Sequence, residues 1–198
     1  MRDSPDVYYF IFLENERKND MIAVLLADGF EEIEALTPVD MLRRAGAEVV
    51  TVGISSSIAT GSHGIKVVCD RTAEQTDPET IDAVIFPGGM PGALNLDASP
   101  YTDKVIDAVM RKGGRIAAIC ASPLILGRRG LLVGKKATCY PGFEPELKGA
   151  TPTGGAVETD GNITTGRSMG TALEFAKELT ALLCGGEKSL NITKSIVE

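Results

Sequence analysis

Apolar runs alternate with helical patterns along the chain from Met21 onward. Near-continuous apolar runs are typical of strands that are covered on both faces of a parallel sheet. We predict strands over residues 22–27, 48–52, 65–69, 81–86, 115–120 and 136–139, and a hairpin around Asp160-Gly161. We predict helices between Gly29 and Arg44, over residues 101–111 and over residues 171–183. This alternation predicts an α/β fold with a doubly wound, mostly parallel sheet.

The first twenty residues differ from the rest of the chain. They contain one apolar run, from Val7 to Leu13, which charged residues follow. A membrane span needs roughly 20 apolar residues, and a signal peptide needs a basic start and a small-residue cleavage site, so the segment fits neither. We predict that residues 1–20 are a dispensable leader and that residues 21–198 form one domain. The alternative is an extra edge strand or an arm that caps a dimer.

Composition narrows the classes of function. The 198 residues are 43% hydrophobic and 24% charged, as in folded globular proteins. The net charge of −7 lacks the basic surface that nucleic acid or an anionic membrane requires. Four Cys without a CxxC pair and a single His disfavour a metal centre. We therefore predict a protein of the reducing cytoplasm without a metal, a nucleic-acid partner or a membrane partner.

Ligands of such sheets bind beyond the carboxyl ends of the central strands, and the segment around Cys120 begins at one of these ends. Cys120 follows an apolar strand, with the small residues Ala118 and Ser122 two positions away on either side. A sharp strand-to-helix turn of this kind presents a nucleophile, and a helix N-terminus favours the thiolate. The N–H of Ala121 would point toward an oxyanion. The alternative is a buried structural cysteine, and the spacing does not separate the two.

A second segment, Pro87-Gly88-Gly89, closes the strand over residues 81–86. Glycine at positions 88 and 89 lets the backbone approach a ligand and offers a second N–H donor to an oxyanion. The chain has neither the Gly-Lys-Ser/Thr of a P-loop nor GxGxxG here, so nucleotide binding is disfavoured. Pro-Gly-Gly also makes ordinary turns, which makes this motif a weaker signal.

The third segment carries Glu31, Glu32 and Glu34 ahead of Pro38. Pro38 cannot donate a hydrogen bond to the Glu34 carbonyl and crowds it, so we predict a short turn and a new helix that Thr37 caps. The break would hold Glu34 apart from the new helix as a candidate functional carboxylate. A plain surface carboxylate is the alternative. We interpret Glu31 and Glu32 as solvated charges of the first turn.

Together these segments resemble the ThiJ/PfpI superfamily, and within it the branch of the Parkinson-associated protein deglycase. The resemblance is carried by residues 26–34, 38–40, 43–46, 87–89, 117–121 and 170–171. It extends from Met21 to about the C-terminus, in order and with few length changes. It implies a flavodoxin-like α/β sandwich of the class I glutamine amidotransferase type, and a homodimer.

The resemblance also implies roles for individual residues. Cys120 falls on the reactive, oxidisable cysteine of the family, and Glu34 on the protonated carboxylate that hydrogen-bonds its thiolate. Oxyanion and substrate binding would fall to Gly88, Gly89, Ala121, Tyr140, Arg44 and His63. A dimer partner would bring two of these, Arg44 and, more loosely, His63, near the site.

Two departures from the family pattern bear on the chemistry. Tyr140 stands where the branch often has His, and Ala121 follows Cys120 where PfpI-type proteases have His. Proteolysis by a Cys–His pair is therefore disfavoured, although the Tyr140 hydroxyl can donate a hydrogen bond to a carbonyl. Residues 168–170 also replace a Gly-Pro-Gly that commonly lines the pocket. We interpret Cys139 as a buried, inert thiol, with a resolving thiol as the alternative.

The resemblance and the residues together imply a cysteine-dependent glyoxalase or deglycase without a cofactor. Cys120 would add to a small 2-oxoaldehyde, or to its adduct with an amine, and Glu34 would carry the proton. The alternative is a redox sensor or chaperone in which Cys120 is oxidised to a sulfinate that Glu34 stabilises. The residues do not select the natural substrate.

Overall fold

The apolar runs of the sequence become strands in this computed structural model, which describes residues 21–196. The predicted leader over residues 1–20 lies outside the described residues. In chain order the strands are β1 (Met21–Leu26), β2 (Val49–Gly53), β3 (Ile58–Thr60), β4 (Lys66–Val68), β5 (Arg71–Thr72), β6 (Ile81–Phe86), β7 (Arg115–Ile119), β8 (Lys136–Ala137), β9 (Thr151–Pro152), β10 (Val157–Asp160) and β11 (Ile163–Gly166). β1 is buried along its whole length, as a strand covered on both faces must be.

Seven of these strands form the main sheet, in the order β10-β11-β7-β6-β1-β2-β5. Neighbouring strands are parallel throughout, except for the antiparallel pair of β10 and β11. This pair is the hairpin predicted around Asp160-Gly161. The mostly parallel sheet is thereby confirmed, and the carboxyl ends of β1, β6 and β7 meet at one edge.

Helices cover both faces of the main sheet. They are α1 (Glu32–Arg44), α2 (Gly92–Asp97), α3 (Pro100–Arg111), α4 (Pro123–Arg128), α5 (Ala172–Cys184) and α6 (Gly186–Ser195). Alternate residues of β1 point into the two parts of the core, one on each face of the sheet. Leu25 packs with α2, α3 and α4, and Val24 packs with α1 and α5. Within residues 21–196, none of the helices has the length and apolar composition that a membrane span needs.

Two of the predicted strands lie outside the main sheet. Residues 65–69 yield only β4, which pairs antiparallel with β3 in a separate ribbon. The side chains of β4 are exposed or half-buried, so this strand lacks the cover of a central strand. Residues 136–139 likewise yield only β8, which pairs with β9.

The predicted helix break at Pro38 is wrong. α1 runs through Pro38 without interruption, and Thr37 lies inside the helix. The Glu31 side chain caps the helix instead, because it accepts a hydrogen bond from the Glu34 N–H at 2.7 Å. A proline inside a helix costs about 3 kcal/mol, whereas burial of one large apolar side chain contributes about 1.5–3 kcal/mol. The helix buries several apolar side chains that together outweigh the proline: Ala35, Val39, Met41 and Leu42.

Candidate functional site

Cys120 lies at the turn between β7 and α4, in a backbone conformation that non-glycine residues rarely adopt. Its φ is +65°, and in the described chain no other non-glycine residue has a positive φ. Such a conformation costs on the order of 1–3 kcal/mol and is typical of functional sites. The Cys120 N–H donates to the Gly166 carbonyl at 3.0 Å, and the Cys120 carbonyl accepts from the Tyr140 N–H at 2.8 Å. Neighbouring backbone on two sides therefore holds the turn.

Small residues let this turn approach the end of β6. Ser122 is fully buried, and its Oγ donates to the Pro87 carbonyl at 2.6 Å. A Cβ on Gly88 would lie 2.6 Å from the Cβ of Cys120 and 2.6 Å from Oε2 of Glu34. A real side-chain carbon does not approach that closely, so the site requires glycine at this position.

The Glu34 carboxyl is buried in the first turn of α1, beside Cys120. Its Oε2 accepts a hydrogen bond from the Gly88 N–H at 2.9 Å. The Cys120 thiol and the Met169 N–H also face the carboxyl, while Oε1 accepts no hydrogen bond of ordinary geometry from residues 21–196. Burial raises the pKa of Glu34 from 4.5 to about 7, and the charge of Glu31 adds to this effect. Near neutral pH, both protonation states of this carboxyl are populated.

Opposing influences act on the Cys120 thiol. Burial, followed by the charge and the hydrogen bond of Glu34, raises its pKa. The backbone N–H groups of Gly89 and Ala121 face the sulfur and lower its pKa. Because Glu34 repels a thiolate only when it is ionised, the two groups titrate as a coupled pair. The pKa of the thiol stays above that of the carboxyl, so the first negative charge of the pair resides on Glu34, and the N–H groups of Gly89 and Ala121 favour its transfer to the sulfur.

The Tyr140 backbone is hydrogen-bonded to that of Cys120, and Cys139 directly precedes Tyr140, but the side chains of Tyr140 and Cys139 have different surroundings. Tyr140 is 47% exposed, and its ring packs edge-to-face on Phe143 with the ring centroids 6.4 Å apart. Cys139 is buried in the core on one face of the sheet, whereas Cys120 packs against the core on the other face. The surroundings of Cys139 agree with a buried, inert thiol rather than a resolving one.

Glu32 is buried, and the prediction of a solvated charge there is wrong. Its oxygens accept hydrogen bonds from the backbone N–H of His63 at 2.8 Å and from Nδ1 of His63 at 2.9 Å. Burial disfavours the ionised carboxylate, but the hydrogen bonds from His63 outweigh it and lower the pKa of Glu32 to about 2. The same contact raises the pKa of His63. The pair anchors the loop between β3 and β4 to α1.

Helical spacing is the signal that could have predicted the burial of Glu32. Glu32 precedes the buried Ala35 and Val39 by three and seven residues, which places all three on one face of α1. Ligand atoms of Glu31, Glu32 and His63 also lie within 4.8 Å of one another, the one such group in the described part of the chain. The hydrogen bonds from His63 to Glu32 account for this cluster without an ion.

Arg44 lies away from the site within one chain. It is the last residue of α1, ten residues after Glu34, which is about 15 Å along a helix axis. It is exposed and pairs with Asp40 at 2.7 Å. A place for Arg44 beside the site therefore depends on a second copy of the chain, and it stays a prediction.

Comparisons with known proteins identify the family. A family model described as the DJ-1/PfpI family matches residues 20–182. The chain belongs to the DJ-1/PfpI family. Protein dj-1beta of Drosophila melanogaster is 34% identical, covering 88% of this chain and 95% of that protein. Protein DJ-1 homolog B of Arabidopsis thaliana is 37% identical over 89% of this chain, which spans only 41% of that relative's length.

A solved structure confirms both the family resemblance and the fold of this DJ-1/PfpI member. Oxidized DJ-1 of Toxoplasma gondii is 36% identical and superposes with a TM-score of 0.85, covering 90% of this chain and 98% of that chain. Two other relatives carry names that state an activity. They are a glutathione-independent glyoxalase of Caenorhabditis elegans, 30% identical over 88% of this chain and 94% of that protein, and a deglycase of Pyrococcus abyssi, 30% identical over 82% and 98%.

We expect the stability of this DJ-1/PfpI domain to depend on pH through Glu34. Because the folded-state pKa of Glu34 is raised to about 7, its proton stabilises the fold below pH 4.5, and this contribution is lost as the pH rises through about 7. Relative to Glu34→Gln, which stays neutral, the wild type should lose on the order of 3 kcal/mol of unfolding free energy between about pH 4 and 8. Urea denaturation across this range measures the difference.

Glu32→Gln is the matched control, because the pKa shift of Glu32 has the opposite sign. The Glu32 carboxylate stabilises the fold above pH 4.5, and this contribution is lost as the pH falls through about 2. Glu32→Gln should therefore have a lower unfolding free energy than the wild type by about 1–2 kcal/mol near pH 6. This difference should become smaller as the pH falls, because the wild-type carboxylate is then protonated. If instead the unfolding free energies of the wild type and of Glu34→Gln change with pH in the same way, that result would contradict the raised pKa of Glu34.

Proposed function

We propose that the protein is a cofactor-independent glyoxalase or deglycase for small 2-oxoaldehydes, such as methylglyoxal and glyoxal, or for their adducts with amines. The observation that carries this proposal is a thiol at a strained strand-to-helix turn beside a buried, protonatable carboxyl. Two backbone N–H groups at the same sulfur supply donors for an oxyanion. The names of the glyoxalase and deglycase relatives support the same chemistry.

In the first step, the Glu34 carboxylate takes the proton of the Cys120 thiol, and the thiolate attacks the aldehyde carbon. A carbon–sulfur bond forms, and the π electrons of the carbonyl move to its oxygen, where the N–H groups of Gly89 and Ala121 stabilise the charge. Glu34 transfers its proton to that oxygen, which leaves a neutral hemithioacetal and a carboxylate. A pKa of about 7 suits Glu34 to this exchange, because both the acid and its conjugate base are available near neutral pH.

The second step moves a proton within the hemithioacetal. The Glu34 carboxylate removes the proton from the former aldehyde carbon and returns it to the neighbouring carbon through an enediol, which leaves a thioester on Cys120. Water hydrolyses the thioester, so a 2-hydroxy acid leaves and the thiol is restored. With an amine adduct as the substrate, the thiolate attacks the carbon that carries the amine and the carbon–nitrogen bond breaks. The amine leaves with a proton from Glu34, and the same hemithioacetal remains on Cys120. The aldehyde and one water together contain the same atoms and electrons as the hydroxy acid, so the reaction needs no external oxidant.

Further residues are assigned to substrate binding in this proposal. Gly88 orients the Glu34 carboxyl through its N–H, and the Tyr140 hydroxyl donates a hydrogen bond to the substrate carbonyl. Proteolysis by a Cys–His pair is not part of the proposal, since the His63 ring is engaged by Glu32.

We also propose a homodimer, in which a second copy of the chain brings Arg44 toward the site. The support is a set of exposed apolar side chains on α1 and on the ribbon of β3 and β4, two elements that the Glu32–His63 contact joins. The set consists of Ile33, Leu36, Ile58, Ile65 and Val68. Exposed apolar clusters of this kind are typical of contact surfaces between proteins.

A redox role for Cys120 is the second candidate function. Its support is the oxidized state of the Toxoplasma gondii relative and the core position of Cys139, which disfavours a rapid disulfide with Cys120. One peroxide would convert the thiolate to a sulfenate and release water, and a second peroxide would yield the sulfinate. A protonated Glu34 could then donate a hydrogen bond to a sulfinate oxygen. The reducing, cytoplasmic location stays a prediction.

Cys120→Ser should abolish the conversion of methylglyoxal to lactate, because a serine hydroxyl is far less ionised than a thiol. Glu34→Gln should lower kcat by about 100-fold or more, because an amide cannot exchange the proton. Lactate formation by the purified proteins measures both effects. Cys184→Ser is the matched control, since this half-buried thiol lies at the end of α5 and should leave turnover unchanged. Wild-type lactate formation by Cys120→Ser would overturn the proposed mechanism.

Cys120 should be the first of the four cysteines to react in a peroxide titration. Cys120 is half-buried and two backbone N–H groups face its sulfur, whereas Cys69 and Cys139 are buried. Peptide mass spectrometry at increasing peroxide should show a mass gain of two oxygen atoms on Cys120 in the wild type. Equal reaction at Cys184 or Cys69 would rule out the redox role.

Light scattering should give twice the chain mass of 20.9 kDa across a range of concentrations. Val68→Asp should shift the protein toward the monomer, because Val68 is 75% exposed on the proposed contact surface and a charge there opposes burial. Leu190→Asp, a similar change on α6, is the control and should leave the mass unchanged. A monomer at every concentration would contradict the dimer.

A further inference from the structure

Three residues whose backbone adjoins the candidate site carry large, exposed apolar side chains, and the steps proposed above do not use their apolar surface. We call them the apolar rim: Met90, Tyr140 and Met169, exposed by 46%, 47% and 52%. Exposed apolar side chains that occur singly need no explanation, but several on segments that adjoin one site point to a ligand. Each of the three adjoins a different group of the site.

Met90 and Tyr140 adjoin the thiol and its oxyanion donors. Met90 directly follows Gly89, whose N–H faces the Cys120 sulfur. The backbone N–H of Tyr140 donates to the Cys120 carbonyl at 2.8 Å. Phe143 packs against the core and supports the Tyr140 ring edge-to-face. The half-exposed ring therefore has a fixed support, on a backbone that is hydrogen-bonded to that of Cys120.

Met169 adjoins the carboxyl. Its N–H faces Glu34, and its backbone is held in a short 3₁₀ turn over Met169–Thr171. The Thr171 Oγ1 accepts from the Ser168 N–H at 3.2 Å and donates to the Ser168 carbonyl at 3.0 Å, which fixes the turn. A thioether on a fixed backbone is an apolar surface that adapts to ligands of different shape.

The charge beside the site disfavours an anionic substituent on the substrate. Glu31 lies close enough to Glu34 for its negative charge to raise the pKa of that carboxyl. A substrate carboxylate placed there would be repelled by the same charge. A neutral, apolar substituent avoids this repulsion and also covers the apolar rim.

We propose that the apolar rim selects 2-oxoaldehydes that carry an aryl or similarly bulky apolar group, in preference to methylglyoxal and glyoxal. This inference rests on the proposed function. Contact between such a group and the rim removes apolar surface of both from water, and an aryl group can pack edge-to-face on the Tyr140 ring. The methyl group of methylglyoxal is too small to cover the three side chains.

The test is the ratio of kcat/KM for phenylglyoxal, followed as mandelate, to kcat/KM for methylglyoxal, followed as lactate. The wild type should favour phenylglyoxal by about tenfold or more. Tyr140→Ala and Met169→Ala should each lower the ratio several-fold, mainly by raising the KM for phenylglyoxal. Tyr140→Phe should preserve the ratio because it keeps the ring. Val133→Ala, at a 67% exposed position outside the site, is the control and should not change it.

The outcomes separate this inference from the proposed function. If the wild type converts both aldehydes but does not favour phenylglyoxal, or if the ratio is unchanged in folded Tyr140→Ala and Met169→Ala, the rim does not select the substrate and the proposed function stands. If the wild type converts neither aldehyde, the proposed function fails and this inference fails with it. Circular dichroism establishes that each variant is folded, and either alanine variant alone suffices for the test.

Discussion

The burial of the Glu34 carboxyl between the Gly88 N–H and the Cys120 thiol is the constraint on which the rest of the site depends. Burial disfavours the charged carboxylate, which raises its pKa to about 7, a value that fits the proposed exchange of a proton near neutral pH. Room for the carboxyl exists only because position 88 has no side chain. The Glu31 side chain holds the Glu34 backbone by accepting its N–H, so the first turn of α1 aims the carboxyl at the sulfur.

The parallel sheet supplies the framework for this contact. The ends of β6 and β7 and the start of α1 meet at one edge, so residues far apart in sequence become neighbours. The left-handed conformation of Cys120 costs on the order of 1–3 kcal/mol. The hydrogen bonds of its N–H and carbonyl, each worth about 0.5–1.5 kcal/mol, offset a comparable amount. The strained turn is therefore stable only within the assembled sheet.

Errors of the sequence-based predictions have a common physical origin. The break at Pro38 follows from local backbone chemistry, which is correct for an isolated helix but is outweighed by the apolar side chains that α1 buries. The solvated Glu32 follows from its charge, and His63, a loop residue from elsewhere in the chain, overrides it with two hydrogen bonds. In both cases a contact distant in sequence outweighs a local preference.

By itself, the sequence determined the central strands of the main sheet, the turn at Cys120 and the two glycines that meet it, because apolar periodicity and small-residue spacing are local signals. The family resemblance implied that Glu34 is the carboxylate beside the thiol, but only the tertiary structure decided the surroundings of each of the three neighbouring carboxylates. Glu31, Glu32 and Glu34 look alike in sequence, yet one caps α1, one binds His63 and one is buried beside Cys120. Their pKa values depend on burial and on partners from other segments, and local sequence contains neither.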